Sequence, residues 1–519
     1  MTIKKNCILI LLIFVLIMSS CGGTSDESKF EATSDDSVSD KIIFDNFGFS
    51  RFNVSNNKEI IPTDSKIKLV YLTNYDTTYS TSEEDPRFYD EQTIENEVNK
   101  YLDKKGCNFY VDFVTNGEFD YTTQEIHPNI EVYEQMLDNG DQVDIVNTGY
   151  GFESLGGIND TYHVFVEKGY LIPLDDYLTS DEGKELYNIL GEANWEIMKV
   201  NDKIYGKTTD YDMASPLTLI FNDGYCDKYD VDKSAIKSLS DLEPYLEKMA
   251  NDGYAGLYID PTCENLYNLI NFTKFNGIYV NAQTSRAENI FQNEAALTYI
   301  KQIADYKQKG YITNTFLSEN MPYLCTVAPS MPIAYNSSRI ISKGYLETED
   351  MSGAVGISTS SKHPNEAFTL MTLLNTDSEL ADIVYNGIAE RNYKSIDGIK
   401  ALNKNALPFF DYTTTPSNPI IAQSNSQDNP NKLSDFELYL ENAQMSPFYD
   451  LKISEELQKK LDVIAEINTN FYGLFYGNYG EYETLDNALA EVCNQLKDAG
   501  IDEISDELNN QYAAQNRGN

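Results

Sequence analysis

Ile67-Lys68-Leu69-Val70-Tyr71-Leu72 opens the stretch that decides the fold, and Val143-Asp144-Ile145-Val146 closes it. The first run is β-rich. Residues 90–105 follow, with Ile94, Val98, Tyr101 and Leu102 at helical spacing and Gly106 as the stop. Residues 109–114 are β-rich again, residues 132–137 predict a helix ending near Gly140, and residues 143–146 predict a short buried strand. Strands that alternate with helices in this way predict a parallel sheet and an α/β fold.

The pattern continues outward. Residues 217–221 read as an apolar strand. Ser240-Asp241-Leu242-Glu243 reads as a capping box opening a helix that runs towards Gly253. Residues 295–309 carry Ala296, Leu297, Ile300, Ile303 and Ala304 on one face, with Gly310 after them. Pro332-Ile333-Ala334-Tyr335 and Ala354-Val355-Gly356-Ile357 predict two more strands, and Pro364 predicts a helix start. Residues 401–444 are Asn-, Pro- and Ser-rich and predict irregular chain. Residues 454–471 and 485–499 predict helices that cap the α/β body. No internal repeat is seen.

At the amino end, Lys4 and Lys5 precede an unbroken apolar run at residues 8–18, then Ser19-Ser20-Cys21-Gly22. A basic start, a short apolar core and small residues before a cysteine predict a secretory leader (residues 1–20), with Cys21 as the lipid-bearing first residue of the mature chain. The run is short for a spanning helix, which needs about 20 residues. Residues 22–40 are polar and acidic and predict a flexible tether.

The 519 residues are too many for one core and predict two or three domains. Net charge is −43, and loss of Lys4 and Lys5 with the leader makes it −45. Such a field repels nucleic acid and anionic lipid surfaces, so membrane attachment falls to the lipid. Cys107, Cys226, Cys263, Cys325 and Cys493 are widely spaced and odd in number, which predicts free thiols with one bridge possible in principle. His127, His163 and His363 lie far apart, so no metal site and no cofactor are expected.

Several segments then carry a resemblance. Asn139-Gly140-Asp141-Gln142-Val143-Asp144-Ile145-Val146 is followed by Glu167-Lys168-Gly169-Tyr170-Leu171-Ile172-Pro173-Leu174-Asp175-Asp176-Tyr177-Leu178. Trp195, Asn201-Asp202-Lys203-Ile204-Tyr205-Gly206, Leu219-Ile220-Phe221-Asn222 and Gly356-Ile357-Ser358-Thr359 come next in order. These resemble the extracellular solute-binding proteins of ABC importers, in the group that includes maltose-binding protein. The part from Ser446-Pro447-Phe448-Tyr449 onward resembles the terminal region of a longer Gram-positive lipoprotein branch. Lys207-Thr208-Thr209 stands where that family usually has a proline, and Phe221-Asn222 where it usually has Tyr-Asn.

The resemblance implies an α/β, two-lobe periplasmic-binding-protein-like (type II) fold with an interlobe cleft and a C-terminal helical extension. It implies a first part of lobe 1 at residues 61–208 behind a lipidated tether at 21–60, lobe 2 at 209–350, a return to lobe 1 at 351–400 and a helical cap within 401–519. One crossing is expected at residues 208–216 and the return at 334–355. The implied activity is capture of an extracellular solute, an oligosaccharide first, and delivery to permease subunits by a lipid-anchored monomer on the outer face of the cytoplasmic membrane. No catalytic group is needed.

Sugar binding calls for aromatic faces against C–H patches and for amides, carboxylates and guanidinium groups against hydroxyls. Cleft ligands sit at the carboxyl ends of strands. The candidates are therefore Tyr75 and Asp76, Tyr150 and Phe152, Asp210 and Tyr211, and Tyr335, Asn336 and Arg339. By order along the chain, Tyr335 falls where oligosaccharide binders of the family carry a stacking aromatic, and Glu264 and Tyr267 fall near another such position. Trp195 is expected in the core, Asp144 as a structural cap and Asp175-Asp176 at a turn. The alternatives are a binder of peptide or another polar solute, and a surface glycosidase using paired carboxylates. No GxSxG, P-loop or GxGxxG fingerprint supports an enzyme.

Overall fold

In the computed structural model, residues 43–44, 50–51, 66–74, 90–116, 119–120, 125–126, 129–149, 161–209, 214, 216–261, 263–315, 322–333, 338–346, 353–396, 398–403, 415–449 and 451–518 are described. The expected leader, Cys21 and residues 22–40 lie outside them, and of the expected tether at 21–60 only residues 43–44 and 50–51 are described.

Leu69, Val70, Tyr71 and Leu72 are all buried, as a strand covered on both faces requires. Their strand, Ile67–Asn74, pairs in parallel with Phe109–Asn116 on one side and Ile145–Asn147 on the other. The crossover helix Asp90–Lys104 buries Ile94, Val98 and Leu102 against this sheet. Its Asn99 amide donates to Val111 O at 2.7 Å and accepts from Val111 N at 2.8 Å, completing strand groups that helix packing would otherwise leave unsatisfied. On one edge Ala354–Ile357 pairs antiparallel with Ile145–Asn147 and Gly206–Thr208 antiparallel with Ala354–Ile357, and on the other edge the short strands Ser50–Arg51 and Ile43–Phe44 bring the sheet to seven strands.

A second sheet has five strands. Leu217–Phe221 lies between Cys325–Pro329 and Ser338–Ile340, antiparallel to both. Leu257–Ile259 runs parallel to Cys325–Pro329 and to Ile312–Thr313. Each sheet has its own large apolar core. The fold is thus α/β with two lobes.

Three crossings join the lobes. The first leaves the first sheet after Thr208 and enters the second at Leu217. The second passes through Gly344–Leu346 before Ala354–Ile357. The third is Ala443–Met445, which pairs in parallel with Gly344–Leu346. The crossings are packed tightly: a Cβ on Gly344 would lie 2.2 Å from Ala214 O, and Ala214 N–H donates to Tyr439 Oη at 2.9 Å. Only glycine permits that approach.

The carboxyl-terminal helices belong to the second lobe. Leu457, Leu461 and Ile464 of Glu455–Asn470, Val492 and Leu496 of Leu485–Asp498, and Leu508 of Ile501–Gly518 all enter its core. Gly277, at φ +79°, would place a Cβ 2.1 Å from that of Ala465, so the hairpin Phe272–Asn281 and the first of these helices touch through backbone.

Three expectations are corrected. The strand expected at Pro332-Ile333-Ala334-Tyr335 lies earlier, at Cys325–Pro329, and residues 332–333 form a turn; Pro332 has no N–H for a ladder. The capping box uses Ser238 and Asp241, opening the short 3-10 turn Leu239–Leu242 before the helix Glu243–Asn251. A cap at Ser240 would put Pro244 where a helical N–H is needed, whereas the observed start keeps it in the first turn. Residues 401–444 are not all irregular: Lys432–Asn442 is helical. Its Phe436 and Tyr439 are buried while Leu433 and Leu438 are exposed, which blurs the helical period.

Candidate functional site

The register of the second sheet locates its cleft-facing edge. Ile259 pairs with Val327, Val327 with Leu219, and Pro329 with Leu217, the first residue after the crossing. The carboxyl ends of Leu257–Ile259 and Cys325–Pro329 therefore point to the hinge. Ligands of open α/β sheets bind outside such ends.

Tyr75, Asp76, Tyr150, Phe152, Asp210, Tyr211, Tyr335 and Asn336 fall outside the described residues. Arg339 is half-buried in Ser338–Ile340, opposite Leu219. Glu264 is exposed, just beyond the end of Leu257–Ile259. Tyr267 is buried, its ring packed edge-on against Tyr279 at 5.3 Å, so it forms the floor beneath that loop.

Beside Glu264 lies a cavity of about 370 Å³. Its other wall is the segment between the helices Glu455–Asn470 and Leu485–Asp498, which presents Tyr472, Tyr476, Tyr479 and Tyr482. Two features fix this wall. Tyr472 Oη donates to Cys263 O at 2.5 Å and accepts from Leu266 N at 2.9 Å. Burial, with the Cys263 thiol nearby, pushes the Tyr472 hydroxyl well above its ordinary range, so it stays a neutral donor. Phe475 is fully buried among Tyr267, Tyr279, Phe291, Tyr299 and Tyr472, at centroid distances of 5.4–6.5 Å. Lys274 reaches in from the hairpin, its ammonium 5.0 Å from the ring centroid of Tyr267 and 5.5 Å from that of Tyr472.

None of this is nucleophile chemistry. Burial pushes the Cys263 thiol up to about 12, and it donates to Asn265 Oδ1 at 3.3 Å. Cys226 and Cys325 are buried as well, and all five described cysteines are free. Among the described residues no group of three His, Cys, Asp or Glu side chains could hold a metal ion. Trp195 is in the core, stacked on Tyr187 at 5.8 Å with its indole N–H on Tyr187 O at 3.0 Å. Asp144 is a buried staple: it accepts from Val70 N at 2.9 Å and from Ser361 Oγ at 2.5 Å. Asp175 accepts from Ile204 N at 3.3 Å beside its turn.

The aromatic wall was not among the expected site residues. The signal for it was present: Phe471-Tyr472-Gly473-Leu474-Phe475-Tyr476-Gly477-Asn478-Tyr479 concentrates aromatics between two predicted helices, where a plain connector would be polar.

No protein-family model matches the chain. A carbohydrate ABC transporter substrate-binding protein of Streptococcus pneumoniae serotype 4 is 23% identical over 387 residues, spanning 68% of this chain and 77% of that protein. The crystal structure of the N-glycan transport solute binding protein NgtS from Streptococcus pneumoniae superposes with a TM-score of 0.59 at 19% identity, covering 86% of this chain and 99% of NgtS. The fold is that of the ABC-importer solute-binding proteins. NgtS in complex with Man1GlcNAc superposes at 0.50 over the same shares of both chains. The lobes of this chain are joined where Gly344–Leu346 and Ala443–Met445 lie side by side, with Ala214 packed against Gly344. No helix among the described residues is long and apolar enough to cross a membrane.

Proposed function

We propose that this solute-binding protein captures an oligosaccharide between its lobes and presents the closed complex to the membrane subunits of an ABC importer. The observation that carries the reading is the architecture: two separate cores joined by three adjacent crossings, with strand ends of both sheets directed at the gap between them. Closure selects the liganded state, which is what a permease can distinguish from the empty one. Binding and hinge motion suffice, so no catalytic residue is assigned. The carbohydrate names of the relative and of NgtS favour a sugar over a peptide or another polar solute. Tyr150 and Tyr335 are assigned the stacking faces, with Asp76, Asp210, Asn336 and Arg339 on hydroxyls. Cys21 is assigned the diacylglycerol that holds the protein at the outer face of the membrane, on the basis of the leader before it.

Calorimetric titration of the purified chain with malto-, manno-, xylo- and fructo-oligosaccharides of one to five units, with Man1GlcNAc, and with a peptide panel tests the reading. Saturable binding of one saccharide series, recovered unshortened, is the expected result. Binding of peptides alone keeps the fold and overturns the sugar, and a shortened product overturns the binder. Tyr335→Ala should weaken saccharide binding about tenfold while the melting temperature holds, since a lost aromatic contact removes up to about 1.5 kcal/mol.

A further inference from the structure

We infer that the cavity between Glu264 and the wall of Tyr476, Tyr479 and Tyr482 is an additional sugar subsite, supplied by the carboxyl-terminal segment and reached only by longer oligosaccharides. The inference rests on the oligosaccharide reading above. Three observations carry it.

The first is position. The cavity adjoins the carboxyl end of Leu257–Ile259, the edge that the sheet register aims at the hinge, and Glu264 stands on the loop between the two. A ligand chain lying in the gap therefore meets this cavity at its end.

The second is chemistry. The lining offers aromatic faces, one carboxylate (Glu264), one ammonium (Lys274), the Asn470 and Asn478 amides and Thr469, with little aliphatic surface. The two charges oppose, so the lining suits a neutral, hydroxyl-rich ring. Rings take its C–H faces, and donors and acceptors take its hydroxyls. An anion is disfavoured by the chain's charge of −43. The volume of about 370 Å³ lies at the small end of ligand pockets, roughly 300–1,000 Å³, which suits an end unit of a glycan and not a whole one.

The third is rigidity. Tyr472 ties the wall to both Cys263 and Leu266, and Phe475 anchors it among five rings. Asn478 N donates to Gly473 O at 2.8 Å and Tyr299 Oη to Phe475 O at 2.9 Å, which closes the turn. A wall held this way contributes affinity without an ordering cost at the moment of binding.

The test titrates the wild-type chain, Tyr479→Ala and Glu264→Gln with the four saccharide series named above, one to five units each, alongside thermal melting. Tyr479 is half-buried and packs against the second core only from its edge, and the melting curve of the variant separates a loss of fold from a loss of binding. Expected is a wild-type affinity that rises with chain length, and a loss of about tenfold for the pentasaccharide in Tyr479→Ala with the monosaccharide unchanged. If both variants bind every length as the wild type does, the subsite is wrong and the oligosaccharide reading stands. An equal loss at one and five units also overturns it, because Tyr479 would then contact the first sugar. If the wild type binds no member of any series, the oligosaccharide reading itself falls, and the subsite with it.

Discussion

The second lobe and the outer layer of the first are built on opposite principles. Around Phe475 the second lobe packs ring on ring, and the carboxyl-terminal helices are continuous with that apolar core. The outer layer of the first lobe, from the helix Ser378–Asn386 to the helix Lys432–Asn442, sends Leu380, Val384, Ile420, Phe436 and Tyr439 into the main core of that lobe, and beyond these its described residues form only a small apolar cluster at Ala381, Tyr385 and Ala422. It buries Asn386, Asn392, Lys400, Asn418, Asn425, Asn429 and Lys432 instead. Lys432 and Asp428 form an ion pair at 2.7 Å with each side chain 2% exposed, and Lys400 pairs with Asp382. Tyr385 Oη donates to Asp428 Oδ1 at 2.6 Å, and the Lys432 ammonium lies 5.0 Å from the Tyr385 ring. Burial outweighs the attraction of Asp428 and holds the Lys432 ammonium below its usual range. The aromatic region gains from area removed from water. The polar region gains little net energy from each pair, but its hydrogen bonds admit one arrangement.

The comparison predicts unequal penalties. Phe475→Ala should cost about 3–5 kcal/mol in urea unfolding, because a fully buried ring leaves a cavity, whereas Phe475→Leu should cost about 1 kcal/mol. Equal losses for the two would mean that the ring cluster is not the anchor of the second lobe. Lys432→Met should cost about 3 kcal/mol by stranding the Asp428 carboxylate in the interior. The double variant Lys432→Met, Asp428→Leu should recover at least about 1 kcal/mol of that loss, since neither charge of this pair is left stranded. A double variant no better than the single one would show that Asp428 is held by Tyr385 and Asn425 as strongly as by Lys432.

These two regions also divide what the sequence made legible. The strand at Leu217–Phe221 and the helices Glu294–Gln308, Glu455–Asn470 and Leu485–Asp498 are read from apolar period, because hydrophobic burial is what forms them. The helix Lys432–Asn442 is hidden, because its inward face carries Lys432 and Asp435 beside Phe436, and Asp435 accepts from Asn429 at 2.5 Å. A buried ion pair looks polar in sequence and cannot be told from a solvated face without its partner. The site divides the same way. Glu264 was named only from its order along the chain in the resemblance, and the tyrosine wall beside it comes from a segment some two hundred residues later, which only the second core brings next to it. Tyr267 lies beneath that loop for the same reason: it sits on the 3-10 turn Leu266–Ile270, whose buried face turns its ring into the second core.

The smallest effect probes the seam where the polar layer meets the first sheet. Asp377 caps the helix Ser378–Asn386, accepting from Glu379 N and Leu380 N at 3.1 Å each. It also accepts from Tyr101 Oη at 2.9 Å and pairs with Lys105 at 2.6 Å, at the end of the helix that covers the sheet. Burial pushes its carboxyl up, but Lys105, the Leu380 N–H and Tyr101 together outweigh burial and hold it below 3.8. A carboxyl lowered on folding contributes stability that is complete above its unfolded value and is lost as pH falls through its folded value. Asp377→Asn keeps the cap, since asparagine is as good an N-cap, and removes only the charge. The variant should therefore melt lower than the wild type at pH 7, by about 1 kcal/mol or less for a pair this close to water. The gap should close as pH falls through the lowered folded value of Asp377, below which both side chains are neutral. A gap that persists unchanged into acid would mean that the loss lies in hydrogen-bond geometry and not in charge. The polar layer would then be joined to the sheet by shape alone.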